Sequence, residues 1–440
     1  MATTTTTTAA ASTTTTTITP QTPTRIAIIG AGLAGLSLAL FLHRLPHTTV
    51  TILEARPSTA PDGGYLALAP NALHVLDQLG LYETLLPHGC AYEELTMYSA
   101  RTLAPLAGVL NGSYALYGYP ALRIERHVVR RTLVQAVQGV GIKVGFGVKV
   151  VGVREEGRAV KVVVLAAGEN KEQEQEFDVV VGADGIHSRV RRLISSVEPT
   201  FSGMGGVGGG RLRRSQIGDD LRLPCLLMGK ANSFMMMPTA ADGQTVSCFA
   251  TVEMEARSRE GWAQAGEDKA GLKKMLVDRH CGEGSEWPDV VQQACRESEA
   301  ESLTIWPFFN APVLESWTTK SSRVILVGDA AHAMPPTGGQ GAGQAFEDVA
   351  SLATVFATCS ADGDSFDEGV RAWQTRRQER VRKIKAFTST NADMRRASPS
   401  SFQQILREWL VWAVLLWKGK DAGLGWIYSH REEGPKVAED

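Results

Sequence analysis

Apolar residues recur along this chain in two rhythms. Ile26 to Ile29, Val179 to Val181 and Val324 to Val327 are short unbroken runs, rich in β-branched residues, as strands buried on both faces require. Each ends at a glycine: Gly30, Gly182 and Gly328. Helical apolar spacing follows the first run, through Leu33 to Leu42, and comes after the third, through Phe346, Val349 and Leu352. Thr49 to Leu53 gives another strand, ending at Glu54. Strand, glycine turn and helix in this order predict an α/β fold with a parallel sheet.

Other stretches alternate or change period. Val128, Val129, Leu133 and Val137 predict a helix, and Lys143 to Arg154 with Ala159 to Leu165 a hairpin turning at Glu156-Gly157-Arg158. The polar run Gly168 to Glu176 reads as a surface turn. Leu226 to Met228, Ser233 to Met237 and Val246 to Val252 read as strands flooring a substrate site, and about half of Met235 to Met237 is expected to face a cavity. Glu255 to Glu301 looks helical and lid-like, and Arg371 to Arg396 looks like a long helix with a solvated basic face. From Phe402 a further helix runs through the Trp409 to Trp417 stretch and is expected to close over the core.

Composition narrows the class. The 440 residues suffice for two domains, and 43% hydrophobic with 21% charged residues is ordinary for a globular protein. A net charge of -2 gives no reason to invoke nucleic acid. The six cysteines are scattered without metal-ligand spacing, so no metal is expected and an intracellular, cytoplasmic location is. The longest apolar stretch, nine residues from Trp409, falls short of the ~20 needed to span a bilayer.

The glycine turns carry the chemistry. Gly30 permits a tight turn, Gly32 lets backbone N–H groups approach a pyrophosphate, and Gly35 allows close helix–strand packing. Glu54, at the tip of the next strand, can hold a ribose hydroxyl and would repel a 2′-phosphate. Gly203-Met204-Gly205-Gly206-Val207-Gly208 fits the same spacing. It follows no strand pattern and precedes no helix, so it reads as a flexible loop. Asp184-Gly185 and Gly328-Asp329 lie where ligands bind in an open α/β sheet, and Asp329 suits a polyol chain.

These motifs in this order, with Arg126, Asp184-Gly185-x-x-Ser188-x-x-Arg191 and Gly328-Asp329-Ala330-Ala331-His332-x-x-Pro335-x-x-Gly338-Gly339-Gln340-Gly341, resemble the single-component FAD-dependent aromatic monooxygenases, the para-hydroxybenzoate and salicylate hydroxylase-like family. The resemblance spans roughly 25 to 395. It implies a Rossmann-like FAD-binding domain (25–80, 123–200 and 303–395) interleaved with a β-sheet substrate domain (81–122 and 201–302), after a Thr-rich disordered tail (1–24) and before a C-terminal helical segment (396–440).

It also implies roles. Glu54 would hold the adenosine ribose, Arg126 the phosphate and ribityl region, and Asp329 the ribityl hydroxyls. Ala67, Gly341 and Ala342 would lie beside the flavin, Pro335 over its face, and Asp184 and Gly185 would serve both FAD and transient NADPH or NADH. The implied reaction uses O2, through a C4a-hydroperoxyflavin, to hydroxylate or epoxidise an apolar aromatic or polyketide-like molecule. A flavin-dependent oxidase or dehydrogenase is the alternative. Two departures stand out: Gly343 replaces the family's usual Asn, and only Arg211 approximates the phenolate-binding Arg of fungal members, with no Tyr near Phe234. His332 and His187 are expected to serve as structural groups, His187 by orienting the Asp184-Gly185 turn.

Overall fold

Thr24–Ile29 lies between two parallel neighbours, Thr48–Glu54 and Val179–Gly182, in the computed structural model, which describes residues 23–59, 63–168, 171–219, 221–230, 232–359, 364–394 and 400–435. Lys143–Phe146 and Val324–Leu326 complete a five-stranded sheet, parallel throughout. Ile26, Ala27, Ile28 and Val179 to Val181 are fully buried, which explains runs without polar alternation. Helix Leu33–His43 is buried from Leu33 through Leu42 and packs between Gly341–Thr358 and Arg126–Gly139. Nearly all of the Thr-rich tail lies outside the described residues.

The second layer is a seven-stranded sheet in the order Thr304–Asn310, Thr200–Arg213, Thr245–Glu253, Asn232–Pro238, Cys225–Gly229, Glu94–Ser99, Pro105–Leu110. A three-stranded sheet of Tyr65–Leu68, Ala121–Glu125 and Gly89–Tyr92 accompanies it. Thr304–Asn310, which the sequence reading assigns to the cofactor part, pairs with Thr200–Arg213 in this sheet.

The expected loop at Gly203 to Gly208 is instead part of the strand Thr200–Arg213, hydrogen-bonded on both sides by Thr245–Glu253 and Thr304–Asn310. Its glycines make room for a ring: a Cβ on Gly206 would lie 1.9 Å from Cζ of Phe249. The polar run after Gly168 contributes the strand Gln173–Phe177, paired with Ala159–Ala166, because the partner strand supplies the order that its composition lacks.

Helices Arg259–Glu267, Lys269–His280 and Asp289–Glu297 are not a lid. Leu272, Leu276, Val291 and Cys295 pack with Val207, Leu227, Phe234 and Met236 in one buried cluster, and the segment reaches the cavity only at Arg259 and Glu260. Helix Ser401–Lys418 does close over the cavity, through Leu410, Val411, Val414 and Leu415, while Trp409 and Trp417 face outward. No helix among the described residues is long and apolar enough to cross a membrane.

The basic helix Asp364–Met394 differs most from its expectation. Arg377 is fully buried, donating to Glu347 at 2.6 Å and Asp348 at 2.9 Å. Its partners come from Gly341–Thr358, whose carboxylates a helix-by-helix reading leaves unassigned.

Candidate flavin site and substrate chamber

The strand ends of the five-stranded sheet open into a cavity of about 1540 Å³ that continues along the seven-stranded sheet. Gly30, Gly32, Glu54, Ala67, Arg126, Asp184, Gly185, Asp329, Gly341 and Ala342 all line it. Three sequence-derived candidates do not. Gly35 sits beneath the turn, where a Cβ would fall 2.0 Å from the Gly30 carbonyl oxygen. Pro335 lines a neighbouring cavity of about 210 Å³ together with Lys385. Arg211 is exposed and pairs with Glu125 at 3.2 Å, beyond the cavity wall, because its strand carries that side chain toward Glu125.

The first turn is built for a close backbone approach. Gly30 has φ +109°, and a Cβ there would meet the Ala183 carbonyl oxygen at 2.4 Å, while a Cβ on Gly32 would meet nothing within 4 Å. The space above Gly32 is therefore open to a ligand. Glu54 is buried, its two carboxylate oxygens accepting from the Ala31 and Arg56 backbone N–H groups at 2.8 Å each. Oε1 also accepts from Arg56 Nε at 3.4 Å, so Oε2 is the oxygen that keeps a lone pair for a hydroxyl donor.

Asp184 accepts from the N–H groups of Arg189 at 2.7 Å and Val190 at 3.3 Å through Oδ2, while its buried Oδ1 has no partner within the structure. Burial raises the pKa of this carboxyl group. Arg191, three residues beyond Ser188, donates to the Ala330 carbonyl at 3.0 Å and the Ile186 carbonyl at 2.6 Å, tying the second motif to the third. His187 packs edge-on against Phe309, with ring centroids 5.7 Å apart, instead of hydrogen-bonding the Asp184 turn.

Asp329 begins a short helical turn after Gly328, whose φ is +59°, and its exposed carboxylate accepts no hydrogen bond from the described residues. The turn is held from below. Asp348 accepts from the Gly328 N–H at 2.8 Å and lies 2.6 Å from His332 Nε2. The Gly343 departure has a local counterpart: a Cβ there would lie 3.0 Å from Asn71 Nδ2, which donates to Gln340 at 3.1 Å and Glu347 at 2.7 Å. Asn71, on a separate helix, fills the space that Gly343 leaves.

Beyond the cradle the cavity becomes a chamber walled by Leu95, Met97, Leu226, Met228, Met235 and Met237. Met236, between the last two, is fully buried in the core. Sequence reading missed Arg123, Tyr92 and Asn111, which also line this chamber. The available signal was Arg123 standing between Leu122 and Ile124, both fully buried, on an alternating strand.

The residues present fit FAD. A glycine turn without Cβ atoms faces a carboxylate able to take ribose hydroxyls, a buried Asp184 oxygen lacks a partner, and Asp329 is free to accept. Glu54→Ala should then weaken FAD binding about tenfold to a hundredfold, the scale of one charge-assisted hydrogen bond. A fluorescence titration showing an unchanged FAD dissociation constant would remove Glu54 from this role.

Comparison with known proteins agrees with this geometry. The profile of a family described as FAD binding domain matches residues 23–388. The FAD-dependent monooxygenase nanF of Aspergillus nanangensis is 28% identical over 348 residues, 75% of this chain and 72% of that protein. Salicylate hydroxylase of Pseudomonas putida is 27% identical over 388 residues, covering 82% of this chain and 83% of that one. Among solved structures, Klebsiella pneumoniae HpxO complexed with FAD and uric acid superposes with a TM-score of 0.73 at 19% identity, covering 89% of this chain and 93% of that one. A salicylate hydroxylase substrate complex gives 0.70 at 20% identity, over 95% and 100% of the two chains, and both structures share the fold. With that match over most of its length, the chain belongs to the FAD-binding-domain family, which includes these flavin-dependent monooxygenases.

Proposed function

We propose that the chain is an FAD-dependent monooxygenase that uses NADPH or NADH and O2 to hydroxylate or epoxidise an apolar, aromatic or polyketide-like small molecule. One observation carries the reading: the flavin cradle and the thioether- and aliphatic-walled chamber are a single continuous cavity. At about 1540 Å³ it exceeds the ~300–1,000 Å³ usual for one small ligand, as a shared cofactor and substrate site requires. FAD, when bound, supplies the redox and oxygen chemistry.

The chain's own residues bind, orient and exclude water. Glu54, Arg126 and Asp329 hold the cofactor, and Asp184-Gly185 serves both the cofactor and the nicotinamide. Gly341 and Ala342 open the 18-residue helix Gly341–Thr358, whose N-terminal N–H groups favour negative charge beside them. Pro335 itself lines the neighbouring cavity, and would reach the flavin only through the next residues Pro336 to Gly339, which line the main one. Val411 and Leu415, from the helix over the chamber, would limit the access of water to the site. Residues 25–80, 123–200 and 303–395 would form the cofactor part, and 81–122 with 201–302 the substrate part, the strand Thr304–Asn310 lying at their junction by its pairing with Thr200–Arg213.

Turnover under 18O2 tests the reading. One labelled oxygen in the organic product, with substrate-dependent oxidation of NADPH or NADH, is the expected result. Label confined to hydrogen peroxide would replace monooxygenation with an oxidase.

A further inference from the structure

The substrate chamber is lined by a cation, Arg123, with which no carboxylate among the described residues pairs. Arg123 lies on Ala121–Glu125, opposite Ala67 on one neighbouring strand and Cys90 on the other, and lines the chamber. Leu122 and Ile124 point to the opposite face, into the core. No carboxylate among the described residues pairs with Arg123, and its buried Nε has no hydrogen-bond partner. Its guanidinium instead sits 5.0 Å from the centroid of the Tyr65 ring. A cation–π contact of roughly 1–2 kcal/mol does not replace the hydration that a buried guanidinium gives up. Burial pulls its pKa down to about 10, which still leaves it cationic at neutral pH.

The groups beside it match an acceptor better than a hydrocarbon. Tyr92 is buried, lies on the strand next to Arg123, and also lines the chamber. Its hydroxyl accepts from Asn111 Nδ2 at 3.4 Å, leaving its own proton to donate. The Arg123 guanidinium and the Tyr92 hydroxyl, both hydrogen-bond donors, thus line a chamber whose walls include Leu95, Met97, Val109, Leu226, Met228 and Met235. A few donors in a largely apolar site fix a ligand's orientation by one atom.

We infer that Arg123, with Tyr92 and Asn111, forms an oxyanion-recognising end of the substrate chamber, which takes an apolar ligand bearing one phenolate, enolate or carboxylate oxygen. This rests on the chamber being the substrate site of the proposed monooxygenase. It narrows the substrate class from neutral apolar molecules to those with a single anionic oxygen. It also gives Arg123 the task for which the exposed Arg211 is poorly placed.

The test compares two probes of one shape, 4-nitrophenolate at a pH where it is fully ionised and 4-nitroanisole, binding to the FAD-loaded protein in equilibrium dialysis. The intact protein should bind the phenolate about tenfold or more tightly than the ether, the scale of one charge-assisted hydrogen bond. Arg123→Met should abolish that preference while leaving the ether's affinity and the FAD dissociation constant unchanged, and Arg123→Lys should retain part of it. If Arg123→Met does not fold, the preference of the intact protein and its reduction in Arg123→Lys still decide. Equal binding of the two probes by the intact protein, failure of both to bind, an unaltered preference in Arg123→Met, or loss of FAD on that substitution would each overturn the inference. The 18O2 measurement reads the monooxygenase assignment separately, since a labelled product with no phenolate preference rejects the subsite alone.

Discussion

Arg377→Met should lower the free energy of unfolding by about 3–5 kcal/mol, the scale on which removing one partner strands a buried charge. Arg377 is fully buried and faces Glu347 at 2.6 Å, Asp348 at 2.9 Å and Glu432 at 3.6 Å. Arg380 also reaches Glu347 at 2.6 Å, but it has no contact with Asp348. Burial by itself would raise the pKa of Glu347, yet Arg377 and Arg380 outweigh it and hold the group at about 2. Asp348 is likewise buried, and His332 and Arg377 keep its pKa below the usual carboxylate range.

The pH dependence follows from those directions. Carboxylates with depressed folded-state pKa values stabilise the fold fully above their unfolded values, near 4. That stabilisation is lost as pH falls toward about 2 in the intact protein. Without Arg377 both groups take up protons at higher pH, so the deficit of the variant should shrink on acidification. Urea unfolding at pH 7 and pH 4 measures both effects. A variant whose deficit is small, or constant with pH, would remove the cluster from the stability of the fold.

Asp329→Ala should yield a colourless protein that still folds. The exposed carboxylate accepts no hydrogen bond from the described residues, and its one charge interaction is with the part-buried Lys385, so thermal unfolding of the flavin-free chain should change little. Two charge-assisted hydrogen bonds to ribityl hydroxyls, at about 1.5–3 kcal/mol each, correspond to roughly a hundredfold or greater loss of FAD affinity. Visible spectra of the purified variant and flavin titration would show it. A yellow protein with intact FAD affinity would relocate the ribityl contact.

The legible parts of the sequence were those whose side chains speak for themselves. Val179 to Val181 and Val324 to Val327 declare buried strands, and Gly30 with Glu54 declares a nucleotide turn, because local sterics and burial dictate those residues. Thr200–Arg213 was illegible for the opposite reason: glycine shows no pattern, and what makes it a strand is Phe249 and the partners on either side. Arg377 read as solvated because its three carboxylates arrive from two distant segments. Arg123 is one letter in an alternation, and only the fold shows that its face is the chamber wall.

The short strand Val324–Leu326 also bears on how the chain is made. It is the edge partner of Val179–Gly182, yet every strand of the seven-stranded sheet precedes it in the chain. A nascent chain leaving the ribosome therefore completes much of its substrate layer while that earlier apolar edge is still unpaired and Asp329 is not yet synthesised. Unpaired strand edges invite aggregation, so holding chaperones rather than flavin would be the first partners of this half-made sheet.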